Sequence, residues 1–339
     1  MKRALLILAL IAIAFGATSA QRIELSTEPS RSRIDVVIDG KLFTSYRYEE
    51  RIRRPALLPI MTAGGNYVTR GFPIETRDGE DIGHPHQVGC SLSFGSVNGV
   101  DFWNNSPYRT PKELEHMGRI VHRRIVKSKN GKRSAELVTE SDWVMPDGST
   151  VLRETSRYRF SIAGNSRLID RETTLTAVVD TVFGDNKEGF FAVHVTREMQ
   201  EPSDIPEKIT DSKGVITTTT DNSPVTGSYF NSEGLRDEKN FWGTTGKWAA
   251  ASGRIKGEDV TVAVFDHPRN LNFPSRMMVR GYGLLALNPF GQKVYDPKLP
   301  ERTYALAKGK SLVFRHRVAI VSGKSDPAVI NKLYQDFAK

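Results

Sequence analysis

The chain has 339 residues, 48 of them basic and 39 acidic, for a formal net charge of +9. The basic residues are dispersed, and their tightest cluster, "RIRRP" at residues 51–55, is short. This pattern argues against a nucleic-acid-binding protein, which needs a focused basic face. A single cysteine excludes an internal disulfide, and the length suits one large all-β domain or two ordinary domains.

The first 20 residues have the pattern of a secretory signal peptide. Lys2 and Arg3 precede the apolar run "ALLILALIAIAFG", and the small residues "ATSA" follow it. We therefore expect cleavage near Ala20 and a mature protein in the periplasm or outside the cell. The apolar run is too short to cross a bilayer, and no later segment has the necessary length, so we expect no membrane span.

Paired strands recur along the rest of the chain. "RIDVVI-DG-KLFTSYRY" predicts a hairpin that turns at Asp39-Gly40, and "AELVTESDWVM-PDG-STVLRETSRYRFS" predicts another around residues 146–148. Further strand patterns cover residues 167–179, 189–199, 247–255, 259–268 and 311–323. The one clear helix is C-terminal, where Asp326 is a capping residue and Pro327 stands at the first helical position. We predict an all-β protein in which residues 21–339 form a single large antiparallel β-sandwich with a short C-terminal helix.

The stretch "GHPHQVGCSLSF", residues 83–94, places two of the seven histidines one residue apart at the start of a predicted strand. Because side chains alternate along a strand, His84 and His86 are expected to share one face with Val88 and Cys90, while Gln87 points away. Cys90 is then an inert buried thiol. Polar groups that end an apolar face suit the mouth of a pocket. The alternative is a pair of histidines hydrogen-bonded at the end of the sandwich.

A charged turn precedes the strand in "GDNKEGFFAVHV", residues 184–195. If the strand extends back to Glu188, this carboxylate and His194 lie on the same side. A carboxylate beside an imidazole is the minimum set for general acid–base catalysis near neutral pH. Lys187 in the same turn is a candidate for binding substrate. The alternative is a solvated turn and an ordinary histidine at the edge of the core.

In two later stretches, a polar side chain again stands next to a run of apolar residues. In "DVTVAVFDHPRN", Asp266 continues an apolar face of three valines, and His267 follows it directly. In "MMVRGYGLLALNPFG", Arg280 stands among bulky residues and glycines. A guanidinium there could clamp a carboxylate or bridge sugar hydroxyls, or pair with Asp266 in a structural salt bridge.

Seven short motifs together resemble a known family. Between about Arg54 and Val321 the chain contains, in order, "VTRGFPI", "HPH", "SVNGVDFW", "GRIVH", "GDNKEG", "FDHPRN" and "VRGYGLLALNPFG". They resemble the exported bacterial PmoA-like family (labelled "methane oxygenase PmoA"), a domain family of unknown function. This chain departs from the family pattern after His86, where Gln87 and Val88 replace a histidine and an arginine.

The family pattern is also similar to the galactose-mutarotase-like β-supersandwich, which binds pyranoses in a cleft lined by His, Glu, Asp and Arg. The resemblance therefore implies a role in carbohydrate metabolism. Methane oxidation is not expected, because the chain has no apolar segments of membrane-spanning length.

These observations give one leading interpretation, an exported carbohydrate-active protein. It would be an epimerase, mutarotase or lyase that acts on a sugar or oxidised sugar by general acid–base catalysis. The candidate catalytic residues are His84, His86, Glu188, His194 and Asp266. The candidate substrate-binding residues are Lys187, His267, Arg280 and Trp103, with Trp242 as the alternative aromatic platform for a sugar ring.

Two other classes stay open. One is a non-catalytic carbohydrate-binding protein that uses the same cleft. The other is a metal-dependent enzyme in which His194 or Glu188 joins the His84/His86 pair on a divalent metal. Apart from that metal we expect no cofactor. The expected partner is a small-molecule carbohydrate and not a nucleic acid, and the sequence leaves the oligomeric state undetermined.

Overall fold

The computed structural model describes residues 22–323 and 326–339, so the predicted signal peptide lies outside the described residues. Within these ranges the chain forms 22 strands and a few short helices. In chain order the strands are β1 (Arg22–Glu28), β2 (Arg33–Ile38), β3 (Lys41–Arg47), β4 (Ala56–Ile60), β5 (Glu80–Asp81), β6 (Cys90–Phe94), β7 (Arg119–Lys129), β8 (Gly131–Lys132), β9 (Ser134–Val144), β10 (Thr150–Ala163), β11 (Ser166–Ala177), β12 (Thr181–Phe183), β13 (Gly189–His194), β14 (Glu207–Thr210), β15 (Ile216–Thr219), β16 (Ser228–Asn231), β17 (Trp248–Ile255), β18 (Glu258–Asp266), β19 (Arg276–Met277), β20 (Leu284–Asn288), β21 (Tyr304–Leu306) and β22 (Ser311–Ser322). The α-helices are α1 (Pro111–Leu114), α2 (Glu238–Phe241) and α3 (Pro327–Phe337), and 3-10 turns cover Pro29–Arg31, Glu50–Ile52 and Arg197–Met199.

Two large antiparallel sheets face each other across a shared apolar core. The first sheet has the order β19-β20-β13-β6-β4-β3-β2-β1-β8, and the second has the order β16-β17-β18-β22-β11-β10-β9-β7. Residues from both sheets enter the core: Phe43 of the first sheet meets Phe160 of the second edge to face, with ring centroids 6.4 Å apart. The prediction of a large antiparallel β-sandwich is therefore confirmed. Smaller sheets, β12-β21 and β15-β14-β5, complete the pairing within the described residues.

Local turn chemistry explains the two predicted hairpins, and both are confirmed. Between β2 and β3, Asp39 and Gly40 have positive φ angles of 50° and 77°, as a two-residue type I′ hairpin turn requires. The turn between β9 and β10 is closed by a hydrogen bond from the Met145 N–H to the Ser149 carbonyl at 2.8 Å.

The C-terminal helix α3 is also confirmed, and it covers the outer face of the second sheet. The Asp326 side chain accepts hydrogen bonds from the N–H groups of Ala328 and Val329, which caps the helix. Ile330 and Tyr334 then pack with buried side chains of the second sheet, including Trp248. Within the described residues, no helix is both long enough and apolar enough to cross a membrane.

Candidate functional site

The candidate site lies on the outer face of the first sheet, over its neighbouring strands β6, β13 and β20. Along β13, Phe191 and Val193 point into the core between the sheets, whereas Ala192 joins a separate apolar cluster. That cluster also contains Trp103 and Met278 and is distinct from the main core. It forms an apolar base beneath a polar depression.

A cavity of about 200 Å³ opens above this base. Residues 84–87, 187–188 and 278–282, which are far apart in the chain, meet there together with Asn104. Its lining residues are His84, His86, Gln87, Asn104, Lys187, Glu188, Met278, Arg280 and Tyr282. Five of the nine were predicted from the sequence: His84, His86, Lys187, Glu188 and Arg280. We call this cavity the histidine pocket.

The two histidines reach the pocket from a turn and not from a strand. Strand β6 begins only at Cys90, and His84 has the left-handed φ angle of 49°. The Gln87 N–H donates to the His84 carbonyl at 3.0 Å, which closes the turn. The predicted strand alternation over residues 84–89 is therefore wrong. The two imidazoles nevertheless face the same cavity, with ring centroids 5.9 Å apart.

The same turn brings Gln87 into the pocket, where alternation had predicted that it points away. Its Nε2 donates to the hydroxyl of Tyr282 at 3.3 Å. The Tyr282 ring in turn stacks on His84, with centroids 4.1 Å apart and planes 9° from parallel. Gln87, Tyr282 and His84 thus form one continuous side of the pocket.

A buried arginine holds this histidine turn in place. Arg70 is 1% exposed and donates to the His84 carbonyl at 2.6 Å. Its other terminal nitrogen donates to the Asp81 carboxylate at 2.7 Å. The ion pair fixes the guanidinium, and the guanidinium fixes the backbone of the turn.

Both pocket imidazoles are neutral at pH 7. Burial, followed by the positive charge of Arg54, lowers the pKa of His86 to about 2. Burial and the charge of Arg70 also lower the pKa of His84. A neutral imidazole has one nitrogen free to accept a proton or a hydrogen bond, so both rings are potential acceptors.

The charged turn is anchored by Asp185, which accepts backbone hydrogen bonds from Gln292 and Lys293 at 2.8 Å each. Lys187 and Glu188 follow this anchor and form an ion pair with each other. Strand β13 begins at Gly189, so Glu188 is the last residue before the strand. The pair contributes one ammonium and one carboxylate to the pocket wall.

Arg280 enters from the segment before β20. It forms an ion pair with Glu238 at 2.8 Å, and its guanidinium carbon lies 5.0 Å from the ring centroid of Trp242. The alternative salt bridge with Asp266 is therefore wrong. Of the two tryptophans considered for a sugar platform, Trp242 lies against the pocket arginine, and Trp103 is buried.

His194 lies directly behind the pocket and does not line it. The ring is 1% exposed, and its Nε2 lies 3.1 Å from the Tyr282 carbonyl oxygen. Because a carbonyl only accepts, Nε2 must carry the proton there. Burial, with the charge of Arg70, holds the pKa of His194 well below its usual range. His194 therefore supports the backbone of Tyr282 and has no direct access to a ligand.

The structure does not bring Asp266, His267 and Trp103 into the histidine pocket. The valine face that Asp266 continues belongs to β18 of the second sheet and points between the sheets. The Asp266 carboxylate accepts from the Asn270 side chain and the Ser275 N–H, each at 2.7 Å, and burial raises its pKa to about 6. Asp266 therefore holds the loop that follows β18 and does not face the histidine pocket.

His267 and Trp103 have packing partners of their own. The His267 ring meets Phe337 of α3 edge to face at 5.1 Å. Trp103 is 1% exposed, and its ring lies 6.3 Å from that of His86, so it forms the wall behind this histidine and offers no open face to a sugar.

Sequence reasoning missed Gln87, Asn104, Met278 and Tyr282. Tyr282 stands two residues after Arg280 between two glycines, a local pattern that could have indicated an exposed aromatic side chain. Asn104 follows Trp103 and is held by Asp101, whose carboxylate accepts both its N–H, at 2.9 Å, and its side-chain amide, at 2.8 Å. Nothing in the sequence indicates that Asn104 lines the pocket.

The metal-binding alternative requires a third ligand beside the histidine pair. Across residues 22–323 and 326–339, no group of three or more His, Cys, Asp and Glu side chains is arranged to hold a metal ion. The Nε2 of His194 is turned to the Tyr282 carbonyl, and Glu188 is paired with Lys187.

Fold and site thus define an all-β sandwich protein with a small polar pocket on the outer face of one sheet. A model for a family of unknown function (DUF6807) matches residues 33–335, and the chain belongs to this family. A search of curated proteins finds no match.

Solved structures with detectable similarity include two carbohydrate enzymes. The GH36 α-galactosidase AgaB from Geobacillus stearothermophilus is 12% identical, with a TM-score of 0.40 over 88% of this chain and 41% of that one. This chain thus corresponds to less than half of the α-galactosidase. A galactose mutarotase related enzyme from Lactobacillus acidophilus is 10% identical, with a TM-score of 0.31 over 89% of this chain and 97% of that one. Both TM-scores are below 0.5, and neither structure informs the chemistry of the pocket.

Proposed function

We propose that the histidine pocket binds a small-molecule carbohydrate and carries out general acid–base chemistry on it. The supporting observation is the convergence of two neutral imidazoles, a carboxylate, two cations and two side-chain amides on one cavity. Such a set can donate and accept hydrogen bonds around a polyhydroxylated ring. The volume of about 200 Å³ is below the ~300–1,000 Å³ of sites for drug-sized ligands, which favours a single sugar unit.

The roles follow from the charges. His86 lines the pocket and is more deeply buried than His84, and it is the proposed proton acceptor. Its pKa of about 2 is too low for a general base at neutral pH, so this role requires a bound anionic group to raise the pKa toward neutrality. Arg280 would hold a carboxylate or hydroxyl group of the substrate. Epimerisation, ring opening and β-elimination all begin by removing a proton from the substrate, and this proposal covers a sugar epimerase, mutarotase or lyase.

Glu188 is the proposed acid–base partner of His86. It forms an ion pair with Lys187, and this adjacent ammonium supplies a donor for an oxygen that gains negative charge. We also propose, from the sequence motifs alone, that the protein is exported after cleavage near Ala20 and is related to the PmoA-like proteins.

The test is His86→Ala, with His116→Ala as the matched control because His116 is exposed and lies outside the pocket. Affinity and turnover are measured on glucose, galactose and glucuronate, and bound metal is measured by mass spectrometry. Loss of a positioned general base typically lowers the rate by ~10²–10⁴-fold, so we expect a loss of that size for His86→Ala with the melting temperature retained.

The other outcomes separate the remaining classes. A binding protein would lose affinity with no turnover to lose, and a metal-dependent enzyme would lose its metal together with the histidine. If His86→Ala matches His116→Ala in affinity, turnover and metal content, the pocket is not a functional site.

A further inference from the structure

A second cavity, of about 230 Å³, lies where the turn at residues 49–55 meets the start of β7. Three arginines contribute to its lining: Arg53, Arg54 and Arg119. None of them belongs to the histidine pocket. We call this cavity the arginine pocket.

Backbone geometry brings two of these arginines together. Arg53 follows the 3-10 turn Glu50–Ile52 with the left-handed φ angle of 63°. Its carbonyl accepts a hydrogen bond from the Ile120 N–H at 2.9 Å, which fastens the turn to β7 beside Arg119. Both arginines are half-buried. A non-glycine residue in this backbone region is unfavourable and persists only where surrounding contacts enforce it.

The third arginine is buried and forms no direct ion pair within the described residues, although the charge of Asp101 acts on it. Arg54 is 2% exposed, and its terminal nitrogens donate to the Ser93 hydroxyl and to the carbonyls of Trp103 and Asn105, all of which are neutral. Its Nε has no hydrogen-bond partner within the described residues. A buried charge normally has an ionic partner. Arg171, equally buried, has one in Glu154 at 2.7 Å.

The other two arginines also lack an ion pair within residues 22–323 and 326–339. Arg53 donates through Nε to the neutral Asn105 side chain at 2.9 Å, and the Nε of Arg119 is buried with no partner there. Burial, and then the charge of Arg119, lowers the pKa of Arg53. The two guanidinium groups therefore repel each other across a partly desolvated space.

The carboxylates at the rim do not cancel this charge. Glu49 lines the cavity, and its Oε1 accepts from the Arg47 Nε at 2.8 Å, so the charge of Arg47 offsets it in part; its Oε2 has no partner among the described residues. Glu50 is exposed, and its single charge stands against three guanidinium groups. The arginine pocket is thus left with an excess of positive charge.

We propose that the arginine pocket binds a small oxyanion, a phosphate or carboxylate group of a metabolite. Guanidinium groups suit this role because their planar N–H donors match the oxygens of both groups, and the hydrogen bonds are charge-assisted. Such a ligand would add negative charge beside Arg54, which has no direct ion pair among the described residues, and would separate Arg53 from Arg119. The arginine pocket shares no lining residue with the histidine pocket, although the charge of Arg54 acts on His86.

The experiment titrates the full-length protein with inorganic phosphate and, separately, with glucuronate, by calorimetry and by the rise in melting temperature. Arg119→Gln is compared with Arg159→Gln, which removes the same charge from an exposed position on β10. We expect phosphate or glucuronate to bind the wild type and the control alike, and binding to weaken at least tenfold in Arg119→Gln. The anion that binds more tightly identifies the ligand as a phosphate or a carboxylate compound.

Three results would overturn the proposal. They are no binding of either anion by the wild type, unchanged binding by Arg119→Gln, and an equal loss in Arg159→Gln. Unchanged binding would place the anion elsewhere, for example beside Lys187 and Arg280. If Arg119→Gln does not fold, Arg119→Lys replaces it: this variant keeps the charge, loses the planar donors, and must also weaken binding.

Discussion

Replacing Arg70 by Met should destabilise the whole protein and not only the histidine turn. Arg70 is 1% exposed, and the Asp81 side chain that it pairs with is 10% exposed. Removing one member of a buried ion pair leaves the other charge uncompensated, which typically costs ~3–5 kcal/mol. Asp81 keeps one hydrogen bond, from the Gly83 N–H at 2.8 Å, so the lower end of this range applies. We expect Arg70→Met to lower the free energy of unfolding by about 3 kcal/mol.

Urea denaturation followed by tryptophan fluorescence measures this loss, provided that the dependence on denaturant stays the same between variants. The matched control is Arg124→Met, because the Arg124 side chain is 66% exposed in its pair with Glu140. Exposed pairs contribute ~0–1 kcal/mol, so the control should hardly change. The double variant Arg70→Met/Asp81→Asn removes the stranded charge and should recover part of the loss. A loss below about 1 kcal/mol in Arg70→Met, or a double variant no more stable than the single one, would refute the reasoning.

Two further predictions concern the core and the N-terminus. Burial raises the pKa of Asp266 from 3.8 to about 6, so its contribution to stability is fully present below pH 4 and is lost as the pH rises through 6. Urea unfolding from pH 4 to 7 should show the wild type losing about 2 kcal/mol relative to Asp266→Asn, and parallel pH profiles would contradict this. If residues 1–20 are cleaved as predicted, N-terminal sequencing of the expressed protein should read from at or near Gln21, and an intact Met1 on a cytoplasmic species would rule out the signal peptide.

Elements of the fold with a strong local signal could be predicted from the sequence. The Asp39-Gly40 turn and the Asp326-Pro327 helix start depend on backbone preferences of the residues themselves, so no distant contact was needed to place them. The histidine turn was mistaken for a strand because its conformation depends on distant contacts. The Arg70 side chain, 14 positions away, holds the carbonyl of His84, and no pattern within residues 83–94 reveals that bond.

The candidate site was predictable only in part, for a related reason. Clusters of unusual polar residues pointed to the histidine pair, to Glu188 and to Arg280, which do meet in one pocket. The same reasoning also selected Asp266, since strand alternation shows that a residue shares a face with its neighbours but not which sheet it belongs to or what that face meets. Partners such as Tyr282 depend on the tertiary fold, because stacking on His84 joins segments nearly 200 residues apart in the chain.

The two outer faces of the sandwich have different occupants, and this separation has a practical consequence. Helix α3 lies against the second sheet and ends near the exposed Lys339, whereas the histidine pocket opens on the first sheet. A fluorophore or a surface linker attached at Lys339 would therefore be separated from the pocket by both sheets. Immobilised through Lys339, the molecule presents the histidine pocket to the solution, an arrangement suited to screening candidate ligands on a sensor chip.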